Sequence, residues 1–463
     1  MFEMTLAEVA DAVGGEIVRG AGDTIVSAVS TDSRSVSSGD LFVPLVGEQF
    51  DGHDYIEAAV AGGAAAALAA KARVDDAVAH APAVIQVDDT LRALGALASA
   101  TRQRVGGTVI GITGSNGKTS TKELTAAVLG PSAHKAPASY NNSVGVALTL
   151  LGVTGASDPV VLEMGTNHFG EIADLVEMAG PDIGVFLNAA DAHTEFLEDA
   201  DGVAREKSAL PLGSAHAVLN ADDPRVMRYA ADCEEVTSFG IGEGSHVCAT
   251  RVELDDYGRA SFTLAIAGED VGRVALRLLG RHHVHNALAA AAVGHVVGVA
   301  GPDIVARLCS AEGPSMRMQL EDIGGVSVIN DAYNANPASV AVAFETFREM
   351  RVEGARWILL GDMLELGGDV EAKHRAVVGD LSPDWCDGFV PCGVHADAMA
   401  AAAKEAGIRG ILRGDTGGDI ADALVGLLVA GDALLVKGSR GAQLETVVDA
   451  YRASTRDAGS GVT

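Results

Sequence analysis

Short apolar runs recur along most of the chain, and polar or glycine-containing segments follow them. In the middle part they lie at residues 109–112, 160–162, 183–187 and 217–219. Further on they lie at residues 326–329, 357–360, 388–390 and 433–436, with helical patterns at 338–350 and 420–429. Such runs are typical of parallel strands that helices cover on both faces. The pattern predicts an α/β fold with a central parallel sheet and a C-terminal doubly wound sheet.

The length of the chain, 463 residues, exceeds what one hydrophobic core usually serves. Before the first of these runs, an alanine-rich stretch at 56–70 predicts a helix. Gly106 and Gly107 precede the predicted strand at 109–112 and indicate a hinge between domains. The last set of predicted strands begins near Pro314. We therefore expect three domains, at residues 1–105, 106–313 and 314–463.

Charge and composition exclude several classes of protein. The formal net charge of -30 repels nucleic-acid backbones, so we expect no nucleic-acid partner. No apolar run approaches the roughly 20 residues of a membrane-spanning helix, and the N-terminus carries acids instead of a basic segment. Five scattered cysteines without a CxxC pair argue against a disulfide framework or a zinc site. We expect a cytoplasmic protein and a monomer, although no pattern in the sequence reports the oligomeric state.

The segment TVIGITGSNGKTSTKEL, residues 108–124, joins an apolar strand to a helix through a glycine-rich turn. Its glycines let backbone N–H groups face phosphate oxygens, Lys118 can reach the β and γ phosphates, and the Thr119 hydroxyl can ligate magnesium. The standard Walker pattern has glycine where Ile112 stands, so the shorter Gly-x-x-Gly-Lys-Thr form remains. A chance turn is the alternative, but the flanking strand and helix favour an ATP site. Its predicted residues are Gly114, Ser115, Asn116, Gly117, Lys118, Thr119 and Ser120.

Polar residues also follow other predicted strands. Glu163 comes directly after one strand, where a carboxylate can hold a hard cation, and a solvated loop acid is the alternative. His193 and Glu195 follow the next strand, although a histidine in such a loop is more often structural. Lys207 lies in a helical pattern as an ordinary surface lysine, and its spacing gives no reason to choose it.

Further polar segments follow in the second half of the chain. GRHHVHNALAAAAVG, residues 280–294, starts with ring-bearing side chains and continues as a small-residue helix, and its histidines indicate a metal only weakly. Ligands bind at strand ends in doubly wound sheets, and four polar segments in succession favour a site over chance turns. They lie around Arg317 and at residues 329–340, 359–367 and 436–445.

Taken together, these segments resemble the Mur ligase family over nearly the whole chain. The matching strings are GSNGKTSTKEL, NNSVGVALTLL, EMGTNHFGEI, VLNADDP, GRHHVHNALAAAA, NDAYNANPAS, LGDMLELG, VKGSRG and, near the N-terminus, TDSRSVSSGDLFVPLVGEQFDGHDYIEAA. The resemblance implies an N-terminal domain that holds the UDP end of the substrate, a central ATPase and a C-terminal Rossmann-like domain. It also implies that ATP drives the joining of D-alanyl-D-alanine to UDP-N-acetylmuramoyl-tripeptide through an acyl phosphate, with two magnesium ions.

The resemblance implies roles for the residues near the phosphates. Lys118 would hold the γ phosphate, and Thr119 and Glu163 a first magnesium ion. His193 would ligate the second ion. Lys207 matches the carbamylated lysine of the family, whose carbamate helps to position that ion. Lys118, His193 and Lys207 are therefore the expected catalytic residues.

The same resemblance implies contacts with the nucleotide and the two substrates. Asn286 would contact the adenine side, Arg317 the phosphates and Asp331 the ribose. The family usually has asparagine where this chain has His283, so the role of that histidine stays open. The expected substrate contacts are Ser33 and Arg34 for the UDP end, and Asn334 and Asn336 for the dipeptide.

Three other functions remain to be weighed. Another ligase of the superfamily, adding the third residue or glutamates to folate, would share the ATP site, but the strings YNANP and NHFGEI argue against it. A phosphate-loop kinase would release ADP without any amine substrate. A non-catalytic nucleotide-binding module would be favoured if Lys118 or Glu163 were missing, and both are present. The third-position diamino acid of the tripeptide is not readable from the sequence.

Overall fold

The computed structural model describes residues 3–47, 49–153, 159–190, 194–364, 366–414 and 417–460. Three main sheets follow one another along the chain within residues 16–87, 109–279 and 319–437. The predicted α/β class, with its central parallel and C-terminal doubly wound sheets, is confirmed. The proposed boundaries at residues 105 and 313 remain a prediction. Within the described residues, no helix combines the length and apolar character needed to cross a membrane.

The N-terminal sheet has five strands in the order β2-β7-β6-β5-β4, and β1 pairs with β3 beside it. Its strands are β1 (Met4–Thr5), β2 (Glu16–Arg19), β3 (Ile25–Val26), β4 (Ala28–Ser30), β5 (Asp40–Phe42), β6 (Ala66–Ala70) and β7 (Val84–Val87). Its helices are α1 (Leu6–Val13), α2 (Ile56–Ala61), α3 (Val74–His80) and α4 (Thr90–Arg102). The single helix expected at 56–70 is wrong. Gly62 and Gly63 end α2, with φ of +115° at Gly63, and the following alanines form the buried strand β6.

The central sheet has nine strands in the order β16-β15-β14-β13-β12-β11-β8-β10-β9. Its strands are β8 (Val109–Thr113), β9 (His134–Lys135), β10 (Val160–Glu163), β11 (Ile183–Phe186), β12 (His216–Asn220), β13 (Glu235–Ile241), β14 (Val247–Leu254), β15 (Arg259–Ile266) and β16 (Glu269–Leu279). Its helices are α5 (Lys118–Leu129), α6 (Ser143–Leu151), α7 (Glu171–Ala179), α8 (Thr194–Leu197), α9 (Ala200–Lys207), α10 (Ala209–Leu212), α11 (Pro224–Met227), α12 (His283–Val296) and α13 (Gly301–Ser310). From the edge strand β9 across the sheet to β14, all neighbouring strands pair in parallel. The last two pairs, β14 with β15 and β15 with β16, are antiparallel.

The C-terminal sheet has six strands in the order β17-β18-β22-β19-β20-β21, of which only the edge strand β17 runs antiparallel. Its strands are β17 (Gln319–Ile323), β18 (Val326–Asp331), β19 (Arg356–Leu360), β20 (Gly388–Pro391), β21 (Gly410–Ile411) and β22 (Ala433–Lys437). Its helices are α14 (Pro337–Glu349), α15 (Val370–Val378), α16 (Ala396–Glu405), α17 (Gly417–Leu427) and α18 (Glu445–Ser460). The adjacent strands β18 and β22 therefore deliver their following polar segments to one edge.

Small side chains allow the helices α5 and α12 to pack closely against each other. Residues Ala287 and Ala289–Ala292 of α12 are fully buried, and α12 packs against α5. A Cβ on Gly294 would lie 2.5 Å from Val128 Cγ1 of α5, so a larger residue has no room there. This packing fixes the start of α12 beside the start of α5, where the glycine-rich turn lies.

Candidate active site

A cavity of about 830 Å³ lies between the carboxyl ends of the central and C-terminal sheets. The glycine-rich turn, the ends of β10 and β18, the start of α12 and the last residue of β22 line it. Most of the sequence-predicted nucleotide and metal residues border this one space. They are Ser115, Asn116, Gly117, Lys118, Thr119, Ser120, Glu163, Asn286, Arg317 and Asp331.

The glycine-rich turn requires its glycines. Gly114 and Gly117 have φ of +158° and +86°, and a Cβ on Gly117 would lie 2.5 Å from Asn286 Oδ1. The turn is held from outside, because Ser115 N donates to Asn188 O at 3.0 Å and Asn116 N donates to Asn188 Oδ1 at 2.9 Å. Since α5 begins directly after Gly117, its free N–H groups face the cavity as an anion site.

Lys118 Nζ donates to Gly114 O at 2.7 Å, so the ammonium lies against the carbonyls of its own turn. Burial lowers the pKa of Lys118, and Arg317 lowers it further, whereas Glu163 raises it. Two cations and one buried carboxylate thus face each other across the cavity. Such a site favours the binding of an anion with several negative charges.

A chain of hydrogen bonds links the two sheets across the cavity. Arg317 Nη2 donates to Ser139 Oγ at 3.2 Å, and Ser139 Oγ lies 3.1 Å from Thr119 Oγ1. Thr119 Oγ1 donates to Glu163 Oε2 at 2.9 Å, and Asn141 Nδ2 donates to Glu163 Oε1 at 3.1 Å. Glu163 is only 1% exposed. Sequence reasoning missed Ser139 and Asn141 as individual residues; the string NNSVGVALTLL was a signal for Asn141, and nothing marked Ser139.

Lys207 is buried, with 1% of its surface exposed, so its interpretation as a surface lysine is wrong. It ends α9, and its neighbours Val203 and Ala204 are fully buried in the same helix. Burial lowers the pKa of Lys207 well below its usual value, and Lys118 lowers it further, while Glu206 and Glu163 oppose this. This environment therefore favours the unprotonated amine over the ammonium. His193, the other expected catalytic residue, lies outside the described residues.

On the side of the C-terminal sheet, a buried ion pair fixes the end of β18. Lys437 Nζ donates to Asp331 Oδ2 at 2.6 Å and to Asn334 O at 2.9 Å, and Lys437 is 2% exposed. The parallel register of β18 and β22 places Asp331 directly beside Lys437. The guanidinium of Arg317 lies over the ring of Tyr333, 4.3 Å from its centroid. Sequence reasoning marked the segment of Lys437 without choosing that residue.

The start of α12 carries a buried histidine, His283, next to the half-buried His282. Asn286 Nδ2 donates to His283 Nδ1 at 3.1 Å, so the carbonyl of Asn286 is turned towards Gly117. Burial lowers the pKa of His283 well below its usual value, and burial together with Lys437 lowers that of His282 to about 4. The two rings pack with centroids 4.1 Å apart.

The four expected substrate residues divide into two groups. Asn334 and Asn336 border the cavity, and Asn336 caps α14 by accepting a hydrogen bond from Ser339 N at 2.8 Å. Ser33 and Arg34 do not border the cavity and lie in a turn of the N-terminal region, where the Arg34 side chain is 87% exposed and pairs with Asp32 at 2.6 Å. Any ligand that contacts both groups must extend beyond the cavity.

A phosphate-binding turn with lysine, threonine and a buried glutamate, closed over by a second doubly wound sheet, defines an ATP-dependent enzyme. Three domain types of one family match the chain: "Mur ligase family, catalytic domain" at residues 25–102, "Mur ligase middle domain" at 112–294 and "Mur ligase, glutamate ligase domain" at 316–440. The chain belongs to the Mur ligase family, and it is a ligase.

Similar proteins match along almost the whole length. The "UDP-N-acetylmuramoyl-tripeptide--D-alanyl-D-alanine ligase" of Bacillus subtilis is 35% identical, covering 97% of this chain and 98% of that one. A crystal structure of MurF from Acinetobacter baumannii, 29% identical, matches 98% of this chain and 99% of that one with a TM-score of 0.87. MurF from Thermotoga maritima in complex with ADP, 26% identical, covers 93% of this chain and 98% of that one with a TM-score of 0.81.

Proposed function

We propose that this protein joins D-alanyl-D-alanine to UDP-N-acetylmuramoyl-tripeptide, using ATP, in the synthesis of peptidoglycan precursors. One observation carries the proposal: a single cavity contains both the phosphate-binding turn and the Asn334 to Asn336 segment. An anion site and a second polar region therefore share one space. The names of the full-length relatives and the ADP complex of a structural neighbour support this substrate pair.

The first step activates a carboxylate, which is a poor acyl donor. The terminal carboxylate of the tripeptide attacks the γ phosphate of ATP, and an acyl phosphate and ADP form. Two anions must approach each other, so cationic groups and N–H donors have to stabilise the charge that develops. Lys118, Arg317 and the N–H groups at the start of α5 supply this stabilisation. Asn286 would contact the adenine and Asp331, held by Lys437, the ribose.

The residues around Glu163 fit magnesium. Thr119 and Glu163 offer hard oxygen ligands at adjacent positions, and magnesium is usually bound by one or two such groups together with substrate phosphates. Over the described ranges, no group of three or more His, Cys, Asp or Glu side chains is placed to hold a metal ion. When bound, magnesium would neutralise charge on the transferring phosphoryl group.

A second ion would require another anionic ligand, and we propose that Lys207 supplies it as a carbamate. Carbon dioxide adds to the unprotonated form of an amine with release of one proton, and burial favours that form by lowering the pKa of Lys207. Addition replaces a potential cation by an anion, which suits a position next to Lys118. His193 is the proposed partner ligand.

In the second step the amine of D-alanyl-D-alanine attacks the acyl carbon and phosphate leaves. Asn334 and Asn336 would lie near the dipeptide, while Ser33 and Arg34 of the N-terminal domain would hold the distant UDP end. The hydrogen bond from Arg317 to Ser139 joins the proposed central and C-terminal domains, and closure there would protect the acyl phosphate from water. We propose that the protein acts as a cytoplasmic monomer, with domains at 1–105, 106–313 and 314–463.

The test is ADP release with UDP-N-acetylmuramoyl-tripeptide, in the presence and absence of D-alanyl-D-alanine. We expect steady turnover only when both substrates are present, and an amide product of the corresponding mass. A matched reaction replaces the tripeptide by the UDP-N-acetylmuramoyl-dipeptide and the amine by a diamino acid. Turnover of that pair instead would identify a ligase that adds the third residue.

A further inference from the structure

Glu206, the residue before Lys207 in α9, is a buried carboxylate with both oxygens engaged. Its Oε2 accepts a hydrogen bond from Gly170 N, and its Oε1 accepts one from Ile172 N, each at 2.8 Å. Only 6% of its surface is exposed. Gly170 is the N-cap of α7 and Ile172 lies in its first turn, more than thirty residues earlier in the chain than Glu206.

Glu206 serves as the capping side chain that α7 lacks locally. The N-cap of α7 is Gly170, with φ of +96° and no side chain to accept hydrogen bonds. The first turn of a helix leaves N–H groups without partners and carries partial positive charge, so a carboxylate there is strongly favoured. Glu171 instead turns back, and its Oε2 accepts hydrogen bonds from Asn167 N at 2.7 Å and from His168 N at 3.2 Å.

These contacts connect the residues proposed for the two magnesium ions, Glu163 for the first and Lys207 for the second. The segment of residues 164–170 links Glu163, at the end of β10, to α7, and its residues Thr166 and Asn167 border the cavity. Glu206 accepts a hydrogen bond from Gly170 N at the end of this segment and directly precedes Lys207 in α9. One carboxylate thus fixes the distance between the segment that follows Glu163 and the helix that ends at Lys207.

We propose that Glu206 is a positioning residue that sets the place of Lys207, proposed for the second ion, relative to Glu163, proposed for the first, and so determines how tightly the cavity holds magnesium. The inference rests on the proposed roles of those two residues. A carboxylate is needed because it only accepts hydrogen bonds, whereas a glutamine would turn one N–H donor towards the N–H groups of α7. An alanine would leave both N–H groups without a partner.

The experiment compares the variants Glu206→Gln and Glu206→Ala with the wild-type protein. Glu198→Gln is the matched control. Glu198 lies just before α9, is 71% exposed and pairs only with Arg205 among its described neighbours. Hydrogen exchange of the amides of residues 170–172 measures the cap. The magnesium concentration needed for half-maximal binding of ADP measures the metal site. Neither measurement requires ligase turnover.

In both Glu206 variants we expect exchange at residues 170–172 to become faster by about tenfold or more. The magnesium requirement for ADP binding should rise about tenfold to a hundredfold, as for other residues that orient metal ligands. ADP binding without magnesium, and every property of Glu198→Gln, should stay as in the wild type.

Two results would overturn the proposal. Faster exchange with an unchanged magnesium requirement would show that Glu206 only caps the helix. Unchanged exchange would show that Glu206 does not cap α7. If Glu206→Ala does not fold, Glu206→Gln, which keeps the shape of the side chain, decides the question. Absence of tripeptide-dependent turnover in the wild type would refute the ligase proposal. The measurements of ADP binding would still test the positioning role of Glu206.

Discussion

Replacing Lys207 separates its proposed role as a metal-binding carbamate from a purely structural one. Lys207→Ala removes the amine and leaves space at a site that is 1% exposed. Without the carbamate the second magnesium ion would be held less tightly, and losing one such group that stabilises the developing negative charge costs about 3–4 kcal/mol in the barrier, or roughly a hundredfold to a thousandfold in kcat. The remaining space matches a small carboxylate, so added acetate should restore part of the activity.

Lys207→Met is the matched control, because it keeps most of the side-chain volume but cannot form a carbamate. It should be as inactive as Lys207→Ala and should not respond to acetate, because its side chain fills the space. The burial that lowers the pKa of Lys207 makes the ammonium unfavourable in the folded state, whereas the unfolded chain is protonated at neutral pH. In bicarbonate-free buffer Lys207→Met should therefore be at least as stable as the wild type.

The assay is steady-state ADP release with both substrates, with and without acetate, and thermal unfolding of each variant measures stability. Full activity of Lys207→Ala in bicarbonate-free buffer would refute the carbamate. Equal rescue of the alanine and methionine variants would show that acetate acts elsewhere in the protein.

Three further predictions concern other parts of the site. Lys118→Ala should lower kcat by roughly a hundredfold or more, while circular dichroism stays unchanged; near-normal turnover would refute the assignment of the ATP site. Arg34→Ala should raise KM for the UDP substrate but leave ADP affinity unchanged, because that side chain lies outside the cavity. His282 has its pKa lowered from 6.5 to about 4, so stability should fall by about 3 kcal/mol as the pH decreases through this range. Urea unfolding of the wild type and of His282→Gln, each at a pH above 6.5 and at a pH near 4, measures this loss of stability. An equal loss of stability in the two proteins would contradict the prediction.

Much of the fold was predictable because the central parallel strands are buried on both faces and therefore appear as continuous apolar runs. The antiparallel strands β14 and β16 were not identified, because their outer parts alternate buried and exposed residues and carry several charges. Residues 56–70 were assigned wholly to a helix because alanine favours helices, but burial within the sheet outweighed that preference in β6.

The glycine-rich turn between β8 and α5 could be predicted because its motif is continuous in sequence. Lys207 could not be identified from its own surroundings, because its burial depends on how α9 packs against elements distant in the chain. Ser139 has the same character: its role arises only where Arg317, 178 residues later, reaches it. Lys437 likewise gains its importance from the register that pairs it with Asp331. Contacts between distant segments therefore account for what sequence reasoning missed.

The arrangement of ligands around Glu163 has a consequence for the order of binding. In the proposed magnesium site, Thr119 and Glu163 would provide two oxygen ligands, whereas magnesium prefers six. Water and phosphate oxygens would fill the remaining ligand positions of the first ion. The proposed carbamate would bind only the second ion. Phosphates supply the remaining negative charge, so the metal should bind tightly only together with the nucleotide. On the proposed function, ATP and magnesium therefore enter as one complex, and the cationic groups Lys118 and Arg317 receive an anion whose charge the metal has already reduced.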